Sequence, residues 1–151
     1  ALFYLVAGDR TQAELLYRDV LQQTPKDLVA LNNLATLLGN TPDTVDEAER
    51  HVNVAIESHG QLSDLLDTKA MIRLRQGDFG GAVELLQQAT DLSLFPNPLH
   101  EFHLAAALLR FGQLEKAKER FAFATKNGLR QQLLTSGDKQ LLGEVEATLA
   151  P

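Results

Sequence analysis

The feature that most restricts the fold of this chain is a period of 34 or 35 residues in the placement of its small and bulky side chains. Small residues recur in two columns: Ala1, Ala35, Ala70 and Ala105, and Ala13, Ala48, Ala82 and Ala117. A bulky and a compact column keep the same step: Tyr17, Val52, Leu86 and Phe121, and Val20, Ala55, Ala89 and Ala124. A period of this length indicates repeated supersecondary units.

Turn residues divide each unit into two segments with the apolar spacing of helices. Glycine followed by a polar residue lies inside the units, at Gly8-Asp9, Gly77-Asp78 and Gly112-Gln113. Glycine can end one helix in the left-handed conformation, and the next polar side chain can accept hydrogen bonds from the amides that open the following helix. Asp9 and Asp78 are therefore predicted caps, and each unit is predicted to be a helical hairpin.

The boundaries between units carry helix-stopping residues, Thr24-Pro25, Ser58-His59-Gly60 and Phe95-Pro96. The spaced alanines have a physical role, because two helices that cross closely need a small side chain where their axes come nearest. Ala82, Leu86 and Ala89 place small, large and small side chains along one helix face. Since one hairpin cannot bury both of its apolar faces, successive hairpins are expected to stack.

These hairpins resemble the tetratricopeptide repeat (TPR), in which aromatic-x2-Leu-Gly-x2-Tyr is followed by Ala-x3-Phe and then Pro. The matching residues of the three complete units are Leu31, Leu34, Ala35, Leu38, Ala48 and Val52; Leu66, Ala70, Ala82 and Leu86; and Leu104, Ala105, Leu108, Ala117 and Phe121. Ala13, Tyr17 and Pro25 match a partial unit. The chain departs from the family pattern in lacking tryptophan and in carrying Lys69 and Arg73 at positions that are usually apolar.

The resemblance implies an all-α fold, a right-handed α-solenoid of stacked antiparallel hairpins in one domain over residues 1–149. Residues 1–26 would form a partial repeat, and residues 27–61, 62–96 and 97–128 would form three full repeats. Residues 137–149 are predicted to form a C-terminal capping helix that covers the last apolar face. The alternative for this helix is a partner-docking element.

The composition and net charge of the chain limit the functions that it can have. A net charge of −6 disfavours nucleic acid and anionic membrane surfaces, which need clustered Lys and Arg. The chain has no cysteine, so thiolate metal sites and disulfides are excluded. The apolar stretches are too short to insert into a membrane.

The chain begins at Ala1 inside an apparent helix, and we expect that it is a fragment or a processed product. Cellular location is not indicated.

No motif indicates catalysis or a cofactor. His100 and His103 share a helix face, but metalloproteases place their histidines four residues apart, so we interpret them as an ordinary surface or groove pair. His51 and His59 are expected at solvated surface positions. Gly77-Asp78-Phe79-Gly80-Gly81 lacks the strand context of a phosphate loop and is predicted to be a turn. No enzyme activity, metal or cofactor is predicted.

The resemblance implies a concave groove, lined by the first helix of each hairpin, that binds a protein or peptide segment. Nine residues match the inward-facing positions: Asn32, Thr36, Asn40, Asp67, Met71, Arg75, Phe102, Ala106 and Arg110. Arg75 and Arg110 could hold acidic groups of the partner. Capture of a chaperone carboxyl terminus is not expected, because Asp64, Thr68, Leu99 and His103 replace the basic and amide residues of such a clamp.

We therefore predict a protein-interaction scaffold. The alternative is a structural or self-association module of a larger chain that docks through its end faces and can form a homodimer. The apolar residues Leu2, Phe3, Leu5 and Val6 motivate this alternative, because they would need cover.

Overall fold

The computed structural model describes residues 10–149, and within them every regular element is helical. The eight α-helices are α1 (Arg10–Gln23), α2 (Leu28–Leu38), α3 (Val45–His59), α4 (Ser63–Arg75), α5 (Phe79–Leu92), α6 (Pro98–Arg110), α7 (Leu114–Lys126) and α8 (Ser136–Leu149). Short 3-10 turns at Pro42–Thr44 and Leu129–Gln131 precede α3 and α8. The prediction of an all-α fold is confirmed.

Consecutive helices pack against one another, and the tightest pairs are the hairpins α2–α3, α4–α5 and α6–α7. The first helices of neighbouring hairpins are also in contact, α2 with α4 and α4 with α6. This repeated packing sets α2, α4 and α6 side by side on one side of the molecule. We call that surface the first-helix face.

The alanines of the repeat lie where the helices approach most closely. All ten alanines of the repeat columns within residues 10–149 are fully buried: Ala13, Ala35, Ala48, Ala55, Ala70, Ala82, Ala89, Ala105, Ala117 and Ala124. The bulky residues Tyr17, Val52 and Leu86 are buried beside them. Val20, the compact residue of the partial unit, is instead partly exposed.

Side-chain caps start helices α2, α5 and α6. The Asp27 carboxylate accepts a hydrogen bond from the amide of Ala30 (2.8 Å), and Asp78 accepts one from Gly81 (3.0 Å). Asn97 caps α6 in the same way. The predicted cap at Asp78 is confirmed, whereas the one at Asp9 lies outside the described residues. Gly77 and Gly112, one repeat apart, both have φ of +83°, a value that favours glycine in these turns.

Helix α8 ends the fold and covers an apolar surface. Leu141 and Val145 on α8 are buried in one cluster with Phe102 and Ala106 of α6 and Ala124 of α7. Lys139, Gln140 and Glu144 of α8 are exposed. No helix within residues 10–149 combines the length and the apolar character that a bilayer span requires.

The close helix crossings predict a large difference between two alanines on α7. Ala124 is fully buried and Ala122 is exposed. Ala124→Leu should lower the free energy of unfolding by about 1–3 kcal/mol, because a larger side chain forces the crossing helices apart. Ala122→Leu should change it by less than about 0.5 kcal/mol. Urea denaturation of the two variants measures both values, and equal stabilities would contradict the assignment of the crossing.

Candidate functional site

A cavity of about 280 Å³ lies between the first helices of the three hairpins and the segment that leads into α8. Helix α2 contributes the amide side chains of Asn32 and Asn33 and the hydroxyl of Thr36. Asn40 adds a third amide from the turn that follows α2. Helices α4 and α6 supply carboxylates and imidazoles, and the wall is completed by Thr135, Gly137 and Asp138. The cavity therefore joins residues from four helices that are far apart in the sequence.

Six of the nine residues predicted to line a groove line this cavity, namely Asn32, Thr36, Asn40, Asp67, Met71 and Arg75. Helices α2 and α4 are linked at its floor, where the hydroxyl groups of Thr36 and Thr68 lie 3.3 Å apart. The rim is closed by Arg75, whose guanidinium donates to the Asn40 side-chain oxygen (3.2 Å).

The other three predicted residues lie elsewhere, because α8 covers their part of the first-helix face. Phe102 and Ala106 have relative exposures of 0% and 1% and pack under Leu141 and Val145. The expectation that they face an open groove is therefore wrong for this fold. Arg110 is exposed, but it forms an ion pair with Glu144 of α8 at 2.6 Å.

The strongest polar contact on the first-helix face is centred on His103, which is only 4% exposed. Its Nδ1 lies 2.8 and 3.0 Å from the two carboxylate oxygens of Asp67 on α4. Its Nε2 lies 3.2 Å from Oδ1 of Asp138 on α8. One imidazole thus ties three helices together, and both of its ring nitrogens are occupied.

The charges around His103 determine its protonation. Burial by itself would lower the pKa of His103, but the charges and hydrogen bonds of Asp67 and Asp138 outweigh that effect and raise the pKa to about 10. The imidazole is therefore positively charged at neutral pH and donates from both nitrogens. Burial would raise the pKa of Asp138, but the hydrogen bond from His103 prevails and the pKa is lowered.

Asp138 also starts helix α8. Its carboxylate accepts hydrogen bonds from the amide of Thr135 (3.0 Å) and from the Thr135 hydroxyl (2.7 Å). In return, the Thr135 hydroxyl oxygen accepts a hydrogen bond from the Asp138 amide (3.2 Å). This reciprocal pair is a capping box. The residue that docks α8 on His103 is thus also the residue that fixes its first turn.

A second histidine lies beside the same cavity. His100 is 3% exposed, and its Nε2 is 3.1 Å from the carboxylate of Asp64, which extends into solvent. The hydrogen bond from His100 lowers the pKa of Asp64. His100 and His103 were interpreted as a surface or groove pair, and the surface alternative is wrong, because burial and an aspartate partner hold both rings inside the fold. Both residues line the cavity. His59, in contrast, is exposed, as expected.

Two polar atoms of cavity-lining residues are buried without a hydrogen-bond partner, the side-chain oxygen of Asn32 and Nδ1 of His100. An unsatisfied buried polar atom carries a cost of about 1–3 kcal/mol. Both residues thus retain hydrogen-bonding capacity that the chain itself does not use.

The sequence contained a signal for the Asp67–His103–Asp138 cluster, but the period of the small and bulky side chains alone did not reveal it. Asp67 and His103 are 36 residues apart, and His103 and Asp138 are 35 apart, so each partner lies about one repeat from the next. Asn40 with Arg75 and Arg110 with Glu144 follow the same rule, at 35 and 34 residues. A search for opposite charges one repeat apart would have found the charged pairs among these.

No protein-family model matches the sequence, and no curated protein is significantly similar to it in sequence. Within residues 10–149, His, Asp and Glu side chains form no group of three that could hold a metal ion.

Removal of the central imidazole should destabilise the fold strongly. His103→Ala leaves the carboxylates of Asp67 and Asp138 close together without their cation, so the free energy of unfolding at pH 7 should fall by about 3–5 kcal/mol. Lys116→Ala serves as the control and should change it by less than about 0.5 kcal/mol, since Lys116 is exposed. Chemical denaturation compares the two, and similar small losses would contradict a central role for His103.

The raised pKa of His103 makes its contribution depend on pH. A group whose pKa is higher in the folded state stabilises the fold fully below its unfolded pKa, ordinarily 6.5, and loses that effect as the pH rises through the folded value of about 10. The stability difference between the wild type and His103→Ala should therefore shrink from pH 7 to pH 10. A difference that stays constant over this range would contradict the charged state of His103.

Proposed function

We propose that this chain is a scaffold of the TPR type, a right-handed superhelical stack of hairpins that binds a segment of a partner protein on its first-helix face. The repeated packing of hairpins and the burial of the alanine columns support this reading. In such a stack the first helices line the inner, concave side, where a partner segment has the largest surface to contact.

The observation that carries the proposal is the cavity between α2, α4 and α6, with its unused hydrogen-bonding atoms. Asn32 and Asn33 on α2 and Asn40 in the turn after it carry amide groups, and such groups can both donate to and accept from the backbone of an extended segment. The exposed carboxylate of Asp64 adds a negative charge at the mouth. This mixture favours a polypeptide segment over a purely anionic ligand.

Binding fits the polar cluster better than catalysis does. An aspartate that orients a histidine can prepare it to act as a general base, but the other ring nitrogen must then be free to reach the substrate. In this chain Asp138 occupies that second nitrogen of His103. The cluster therefore has the arrangement of a structural tie between helices.

A peptide array probed with the purified chain tests the proposal. Asn32→Leu should weaken binding of captured peptides by at least about tenfold, because a buried amide contact is lost, and Arg75→Glu should change which peptides are captured. Arg50→Glu, an exposed arginine on α3, is the matched control and should leave the array unchanged. For a short segment, we expect an affinity of about 1 µM, near −8 kcal/mol.

An array that is identical for the wild type, Asn32→Leu and Arg75→Glu would contradict binding in the cavity. The isolated variants should keep their helical circular dichroism, because Asn32 and Arg75 are not part of the buried apolar clusters.

Self-association through the α1 end is a second candidate, favoured by one observation. Leu16 and Val20, one turn apart on α1, are 40% and 38% exposed, and Leu15 beside them is 57% exposed. Apolar surface at the end of a stack can be covered by another copy. The motivating residues Leu2, Phe3, Leu5 and Val6 lie outside the described residues.

Sedimentation velocity over a wide concentration range tests this second candidate. A dimer should form with rising concentration, and Leu16→Asp should weaken the dimer at least about tenfold, because a charge would be buried at its interface. A wild-type chain that sediments as a monomer at all concentrations would eliminate self-association and leave the binding of a partner segment untouched.

A further inference from the structure

Helix α8 lies on the first-helix face in the way that a bound helix would. Asp138 near its start contacts His103, and Glu144 two turns later contacts Arg110 at the end of α6. Both contacts advance in the same direction along the two helices, so α8 runs parallel to α6. It covers the part of the face where Phe102 and Ala106 were expected to meet a partner.

The contacts of α8 define a residue pattern. Asp138 supplies a carboxylate to His103, and Leu141 and Val145 bury their side chains against α6 and α7. Leu149 packs at the edge of the same cluster. The four residues lie at positions 0, +3, +7 and +11, which is one face of a helix. The pattern is thus an acidic residue in the first turn followed by three apolar residues.

The first turn of α8 also closes one wall of the cavity. Gly137 and Asp138 line the cavity, and a Cβ atom on Gly137 would lie 2.8 Å from the side-chain oxygen of Asn40. A Cβ atom at position 137 would crowd the Asn40 side chain in its present position, so glycine lets the start of α8 come this close to the turn after α2. The start of the docked helix is therefore part of the cavity wall and closes the cavity on that side.

Several features weaken the hold of α8 on this face. Gly143 lies within the helix with no atom near the position that a Cβ would take, so its missing side chain reduces helix stability without a packing requirement. The Arg110–Glu144 ion pair is exposed, and pairs of that kind stabilise little. Leu133, in the segment that leads into α8, is 77% exposed.

We infer that α8 is a displaceable occupant of the first-helix face, and that the partner is a helix with the same pattern, an acidic residue followed by apolar residues at +3, +7 and +11. The inference rests on the proposed function, since it specifies what binds there and what must leave first. The partner carboxylate takes the place of Asp138 at His103, and its apolar residues cover Phe102 and Ala106.

A labelled peptide with the sequence of residues 133–149 is the probe, and fluorescence anisotropy measures its binding to full chains. In the wild type, the tethered α8 competes at an effective concentration in the millimolar range, so a peptide of about 10 µM intrinsic affinity should bind on the order of 100-fold more weakly. Asp138→Ala in the chain loosens α8 while Asp67 still pairs with His103, and should tighten peptide binding about tenfold.

Two matched controls test the mechanism. A peptide that carries Asp138→Asn should bind the Asp138→Ala chain at least about tenfold more weakly, because it cannot supply the carboxylate to His103. Gly143→Ala added to the Asp138→Ala chain should weaken peptide binding about fivefold, because it stabilises the resident helix without touching its contacts. Circular dichroism checks that each chain stays folded.

A disulfide can lock α8 in place, since the chain has no other cysteine. Asn40→Cys and Gly137→Cys, added to the Asp138→Ala chain, put the two sulfurs within bonding range and remove the Asn40 side chain that would crowd the new Cβ. After oxidation, the chain should bind no peptide, and reduction should restore binding. The oxidised and reduced forms share one sequence, so a folding defect cannot mimic the effect.

Equal binding to the oxidised and reduced chains would overturn the inference. Equal binding of the unchanged peptide and the Asp138→Asn peptide would also overturn it, as would no binding to the Asp138→Ala chain.

The proposed function and the displaceable helix are contradicted by different outcomes. If array peptides bind oxidised and reduced chains alike and depend on Asn32, the scaffold stands and the displaceable helix does not. If only the α8 peptide binds, the helix is displaceable but the proposal of a foreign partner fails.

Discussion

The close approach of helices at fully buried alanines is the constraint on which the rest of this structure depends. Ala82 and Ala117 leave room for a neighbouring helix where a larger side chain would separate the pair. Because this contact recurs every 34 or 35 residues, each hairpin meets the next in the same way and the first helices come to lie side by side. The cavity between α2, α4 and α6 is a product of that stacking and needs no insertion or special loop.

Much of the fold could be read from the sequence, because the period, the turns and the small residues all report local geometry. The cap at Asp78 and the helix at residues 137–149 belong to this predictable part. What the sequence did not reveal is where α8 would lie, since that depends on the long-range contact of Asp138 with His103. The repeat pattern describes how a hairpin packs on its neighbour, and α8 has no partner helix that would complete a hairpin within residues 10–149.

In the candidate site, too, some features could be predicted from the sequence and others could not. The six predicted residues on α2, in the turn after it and on α4 line one cavity, because their positions follow from the spacing of the repeat. Phe102 and Ala106 have the same phase on α6, but a distant segment buries them. The burial of His100 and His103 was not predicted, because the sequence does not show that an aspartate stands opposite each ring and offsets the cost of burying it.

The approach of Gly137 to Asn40 has a mechanical consequence. A row of hairpins in which each contacts only its neighbours can change its superhelical pitch, because small rotations at each junction add up along the row. A contact between the beginning of α8 and the end of α2 bridges two intervening hairpins and limits those rotations. This one contact thereby makes the described row of hairpins stiffer than packing between neighbours alone would make it.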